Sequence, residues 1–444
     1  MRISLLVRFG LIFFLSLGVS ACNLNDIFAK LKGDETEASN KEEITQIEEP
    51  SSQATGDTLT ENNNSDQSNT SPDVNLPIPI APDDITANIN GDQVIVRWSE
   101  VEYANAYIIQ WSTNEEFQKV ESLKALDATP IEVAFPYKLP LLLNPLFIRV
   151  YAENTSGISE YSSTIILKAT ISEVYANADI ARGGRLYDTW WDELKTENTI
   201  AEAPTIANPL WEFRNTQVSD LIPEKKIKDS WRCTTCHGWS YNGIGFISGT
   251  RSIHNSDNLI YKISLLKESG LAFEEQLQYI FSTIKTGFYT DKFHDFSSSQ
   301  TGLPTTMTDS NLWDLVKFLY EGIINTDIYI TSTFGTFITP YVKGPYRNFE
   351  NGQGLYKGEI EPTINCTSCH GDDGKGIAEK GTKALDIFEL AYINPYQFLH
   401  KIRFGQPNTP MPGLSNTTVN FENPNALHIL DFARQKFDSR TVSP

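Results

Sequence analysis

The 444-residue sequence is poor in sulfur and in imidazole: five cysteines, three methionines with the initiator among them, and six histidines. It also lacks basic excess. With a formal net charge of -20, it offers no general phosphate-binding surface, and this excludes nucleic acid as an expected partner. Beyond the first 22 residues no run of eighteen apolar residues occurs, so no later segment reads as a membrane span. No glycine-rich nicotinamide or flavin fingerprint stands out, and length alone suggests roughly three domains at about 150 residues each. Much of the acidity is local. Between Asp34 and Asp73 stand eleven Asp or Glu against one Lys, in a stretch of Asn, Ser and Thr with almost no aromatics. Such a segment cannot offset its chain entropy by burial and reads as a disordered tether over residues 23–80.

What is present begins with "MRISLLVRFGLIFFLSLGVSAC": Arg2 and Arg8, an apolar stretch, and small residues ahead of Cys22. This is the pattern of an export signal over residues 1–22. "VSAC" resembles the bacterial lipoprotein box, which implies that Cys22 becomes a lipid-carrying N-terminus; the alternative is an ordinary cleaved signal. By the same resemblance, Asn23 rather than Asp implies an outer-membrane lipoprotein, facing the periplasm or the exterior.

Residues 81–170 alternate apolar and polar positions in short runs, "DQVIVRW", "AYIIQW" and "LFIRVYAEN", the period of half-buried strands. The segment resembles a fibronectin type III domain, with Trp98, Tyr107 and Tyr151 at the family's packing positions. That implies a β-sandwich serving as a spacer or as a docking module for a surface protein or polysaccharide.

After residue 171 the period becomes helical, in "LAFEEQLQYIFSTIKTG", "MTDSNLWDLVKFLYEG", "NPYQFLHKIRFG" and "NPNALHILDFARQKF". A weak internal repeat accompanies it. "GGRLYDTWWDEL" and "NGQGLYKGEI" each open a unit, each precedes a Cys-x-x-Cys-His, and each unit closes on an amphipathic helix. Two related helical domains are expected, 171–330 and 331–444, the first with some 35 additional residues ahead of its cysteines.

The four remaining cysteines are Cys233, Cys236, Cys366 and Cys369, in "CTTCH" and "CTSCH", followed by His237 and His370. Two thiols at this spacing reach one porphyrin edge and add across its vinyl groups, and the adjacent imidazole meets the iron. A zinc site would ordinarily want its two pairs closer together and needs no histidine after each. A thioredoxin-like disulfide would sit in a βαβ context, and a structural disulfide closing so small a loop is a poor staple. Residues 183–444 resemble class I c-type cytochromes in tandem. The resemblance implies a multidomain chain, a fibronectin-like sandwich followed by two all-α cytochrome c-like domains with two covalent haems c.

In that family the sixth ligand comes from a loop ahead of the last helix, which for the second haem is Met411 in "GQPNTPMPG". For the first, His294 and Met307 both qualify. Met307 abuts its helix, with Thr308 or Asp309 as the cap, where a hydrophobic staple belongs; His294 lies fourteen residues ahead of Thr308 and is favoured by position. His254 is a further candidate near the first haem. His400 and His428 read as satisfied helix histidines, Lys401 and Arg403 as residues near the second haem, and Trp239, Tyr241 and Phe246 as aromatic packing. The function implied is single-electron transfer between redox proteins of the cell envelope. A haem oxidoreductase of peroxidase or sulfur-compound dehydrogenase type is the alternative, and it requires one openable iron.

Overall fold

The computed structural model describes residues 76–91, 93–126, 131–198, 200–208, 227–243, 258–287, 294–296, 303–331, 341–376, 386–414 and 424–441. The signal, Cys22 and most of the expected tether lie outside these, as do His254 and Phe246. Within Val74–Pro444, an antiparallel β region is followed by helices.

Two sheets face each other. One has the order β1 (Thr86–Asn90), β2 (Gln93–Arg97), β5 (Glu132–Pro136). The other joins β4 (Glu121–Leu126), β3 (Ala106–Ser112), β6 (Leu146–Asn154) and β7 (Gly157–Ile158), with β8 (Ile165–Leu167) also on β6. Alternation drives the packing: Val94 and Val96 of β2 are buried between Gln93, Ile95 and Arg97. Trp98 and Tyr107 are in the core, and the Tyr107 hydroxyl accepts from the Val101 N–H at 2.8 Å. Tyr151 differs from expectation. On β6 it alternates with buried Val150 and Ala152, so it faces outward, edge-on to Tyr161. The chain already touches the sandwich at Pro77, whose carbonyl accepts from Asn154 Nδ2 at 2.7 Å.

The sandwich does not stand apart from the helices. A short helical turn, Leu139–Leu143, packs against both α1 (Ile171–Asn177) and α6 (Asp309–Lys317), and one apolar core runs from Val94 through Leu142 to Leu186 and Trp313. Thr170 and Glu173 form a capping box that starts α1 directly after the last strand. The first helical region continues with α2 (Ile180–Glu193), whose backbone breaks at Thr189, then α3 (Cys233–His237), α4 (Leu259–Lys267), α5 (Phe273–Thr286) and α6. A second core lies under α7 (Phe349–Tyr356), α8 (Thr367–His370), α9 (Ile387–Ile393), α10 (Pro395–Phe404) and α11 (Asn425–Thr441). The four stretches with helical period are α5, α6, α10 and α11.

The repeat has a structural counterpart. Helix α2 crosses α6 at Gly183, where a Cβ would lie 2.0 Å from the Asp314 carbonyl oxygen; α7 crosses α11 at Gly352, 2.0 Å from that of His428. Only glycine permits backbones to approach so closely.

Candidate functional site

Each Cys-x-x-Cys-His occupies a single helical turn that ends in a glycine of left-handed φ, Gly238 at 70° and Gly371 at 66°. A tyrosine one turn beyond each crossing glycine secures that end. Tyr187 donates to the Gly238 carbonyl and Tyr356 to the Gly371 carbonyl, both at 2.7 Å. The following loops match as well. Gly243 N–H donates to His237 O at 3.1 Å as Gly376 N–H does to His370 O at 2.8 Å, and Leu259 N–H donates to Tyr241 O as Ile387 N–H does to Gly374 O. Two differently spelled segments therefore present cysteines and histidine on one scaffold.

None of the four cysteines is in a disulfide. Burial pushes the Cys233 thiol up to about 12 and that of Cys366 up to about 11. A redox or nucleophilic cysteine needs the opposite shift, toward thiolate at neutral pH, so neither of these two thiols is set up for that role. Burial also lowers the His370 imidazole, which favours the neutral form that binds metal.

The structure brings His237 and His294 together. Their ring centres are 6.2 Å apart and their planes differ by 27°. The contact joins residues 57 positions apart (294 less 237). Met307 sits next to this pair: its N–H donates to the Phe296 carbonyl at 2.8 Å, yet its side chain is buried in the apolar core, directly ahead of the Thr308 cap of α6.

Met411 lies partly buried in the loop that follows α10. That loop folds tightly. Gly405, at φ 88°, has no room for a Cβ, which would lie 2.5 Å from the Met411 carbonyl oxygen, and the Met411 N–H donates to Thr409 Oγ1 at 3.3 Å.

Residues expected around the second iron turn out to face the first helical region. Lys401 pairs with buried Asp188, which also pairs with Arg232, the residue before Cys233. Burial pushes the Asp188 carboxyl up, but the two cations outweigh it and hold it below the usual range. Arg403 donates to the Gly322 carbonyl at 2.6 Å. His400 is buried with Nε2 donating to the Gly184 carbonyl at 2.9 Å and Nδ1 facing the Tyr241 hydroxyl at 2.8 Å, against the Trp239 ring. It is a satisfied core histidine, but one that joins two regions. His428 lies beside Asn351, 2.6 Å from its amide, within the second region. Sequence reasoning missed Asp188 and the tyrosine ties, although the shared Gly-x-x-x-Tyr of the two opening helices was a signal for the latter.

Among the described residues no group of three or more His, Cys, Asp and Glu gathers as a metal site, and no helix is long and apolar enough to cross a membrane.

Neither a protein-family profile nor a curated protein matches the chain. Among solved structures it is similar, over about a fifth of its length, to a "Myokine structure" (18% identity, 20% of this chain and 97% of that one, TM-score 0.18). The FN1–FN3 domains of chicken CNTN1 (19%, 21% and 33%, TM-score 0.18) and the FN5 domain of Drosophila Lar (19%, 21% and 97%, TM-score 0.18) are similar to the same extent. At those TM-scores the likeness carries no argument about function.

Proposed function

We propose that the chain is a dihaem c-type cytochrome that passes single electrons between redox partners of the cell envelope. Cys233 and Cys236 would hold one haem and Cys366 and Cys369 the other, with His237 and His294 as axial ligands of the first iron and His370 and Met411 of the second. When bound, haem supplies a one-electron ferric/ferrous couple. The observation that carries the reading is the pair of Cys-x-x-Cys-His turns, each ended by a glycine and tied by a tyrosine, with His294 6.2 Å from His237 between ring centres at the first.

The chain's own residues would hold the group: the glycine-ended turns carry each Cys-x-x-Cys-His segment, and the tyrosines fix the turns. With two protein side chains holding each iron no position would be left for a substrate, which favours a carrier over the peroxidase or sulfur-compound dehydrogenase alternative. The lipobox at Cys22 supports anchoring at the outer membrane. The sandwich, continuous with the helical core, fits a rigid spacer or a dock for a surface protein or polysaccharide.

The test is the protein matured in a cell that attaches haem c. Two covalent haems per chain are expected, with no carbon monoxide binding to the reduced form and two separate midpoints, the His/His haem below the His/Met haem. Rapid carbon monoxide binding would replace the carrier with the oxidoreductase, and the absence of covalent haem would end the reading.

A further inference from the structure

The loop that carries Met411 is held from outside its own region. Phe404, the last residue of α10, lies with its ring on Gly184 of α2: a Cβ at Gly184 would be 2.3 Å from the ring's Cγ. Arg185 Nη1 donates to the Phe404 carbonyl at 3.1 Å. The same guanidinium binds buried Glu193 through Nε at 2.9 Å, and the second oxygen of Glu193 accepts the backbone N–H of Asn408 at 3.4 Å. Asn408 has φ 53°, a left-handed turn conformation that asparagine adopts more readily than other non-glycine residues. One ion pair thus grips both the start and the middle of the segment whose far end is Met411.

We propose that Gly184, Arg185 and Glu193 of the first helical region are positioning residues for the methionine ligand of the second haem. This rests on the dihaem reading above. A methionine leaves iron more easily than an imidazole does, because the thioether is a weak ligand, so its occupancy depends on how firmly the loop is held. Fixing the segment at Phe404 and Asn408 removes backbone freedom that would otherwise favour the detached state. Docking of the two helical regions therefore sets the ligation, and with it the potential, of the second iron.

The experiment uses the full chain with both haems attached. Arg185→Met and Glu193→Gln are titrated with imidazole in the ferric state, following the red absorption band of methionine-ligated haem. Apparent affinity for the added ligand scales with the fraction of loop detached, and losing a hydrogen bond to a charged group shifts such an equilibrium by about tenfold. Imidazole should bind the second haem about tenfold more tightly in both variants, with a weaker red band and a lower midpoint there, while the His/His haem is unchanged. Arg347→Met, which removes a pair with Asp431 inside the second region at 3.0 Å, should leave the affinity as in the wild type. Affinity within twofold of wild type in both Arg185→Met and Glu193→Gln overturns the proposal, as does an equal gain in Arg347→Met, which would mean general loosening. Should Arg185→Met not fold, Glu193→Gln decides alone. If the wild type itself lacks covalent haem or the red band, the dihaem reading fails first, and that outcome is separate from the others.

Discussion

His294 and Met307 illustrate how position along the chain and position in space differ. They are thirteen residues apart (307 less 294), and a single backbone bond, Met307 N–H to Phe296 O, brings their segments side by side. Their environments differ. Met307 is 2% exposed in an apolar core, whereas His294 faces His237. His294→Ala is expected to open the first iron, so that the reduced protein binds carbon monoxide and the ferric spectrum becomes high-spin. Met307→Ala should keep the axial ligands unchanged in electron paramagnetic resonance and cost about 3 kcal/mol of stability, the price of a core cavity. The reverse pattern would transfer the ligand role to Met307. The two Cys-x-x-Cys-His motifs were legible because each is confined to five consecutive residues. His294 and Met307 were legible only as a pair of candidates, since sequence position does not say which side chain the core absorbs.

At the scale of elements, the two crossings α2–α6 and α7–α11 organise both regions. Gly183 and Gly352 let the helices meet, and Tyr187 and Tyr356, one turn on, tie the crossings to the attachment turns. Gly352→Ala would place a methyl 2.0 Å from the His428 carbonyl oxygen, which neither backbone can absorb without parting. The expected loss is about 3 kcal/mol, read as a lowered denaturation midpoint of the haem-loaded protein; an unchanged midpoint would show that the crossing has slack. The helices themselves were visible in apolar spacing. The outward turn of Tyr151 was not foreseen, because period two marks alternation but leaves open which set faces the core.

Within Val74–Pro444 the two helical regions meet at a polar seam, where Asp188 meets Arg232 and Lys401 and His400 meets Tyr241 and Gly184. Burial pushes the His400 imidazole down to about 3, with nearby Lys401 and Arg403 acting the same way and Asp188 and the Gly184 carbonyl opposing. Unfolded, this group titrates at about 6.5. The unfolded state thus binds the extra proton first, so the contribution of His400 is complete above about pH 6.5 and is lost as pH falls toward about 3. Unfolding free energy measured across that window should fall more steeply in the wild type than in His400→Gln, which has no proton to take up, by several kcal/mol at the acid end. Parallel curves would mean that His400 protonates without leaving its place.

Local pattern along the chain carries the positions of the paired thiols and the histidine after each, the strand and helix periods, and the acidic stretch ahead of the sandwich. Motif spacing, strand alternation and helical spacing are all short-range. Tertiary contacts alone bring His294 beside His237, give the sandwich and the first helices one core, and join Arg185 and Glu193 to the loop of Met411 more than 200 residues onward. Those choices depend on which surfaces close over one another, and that is set by packing among distant segments rather than by any local pattern.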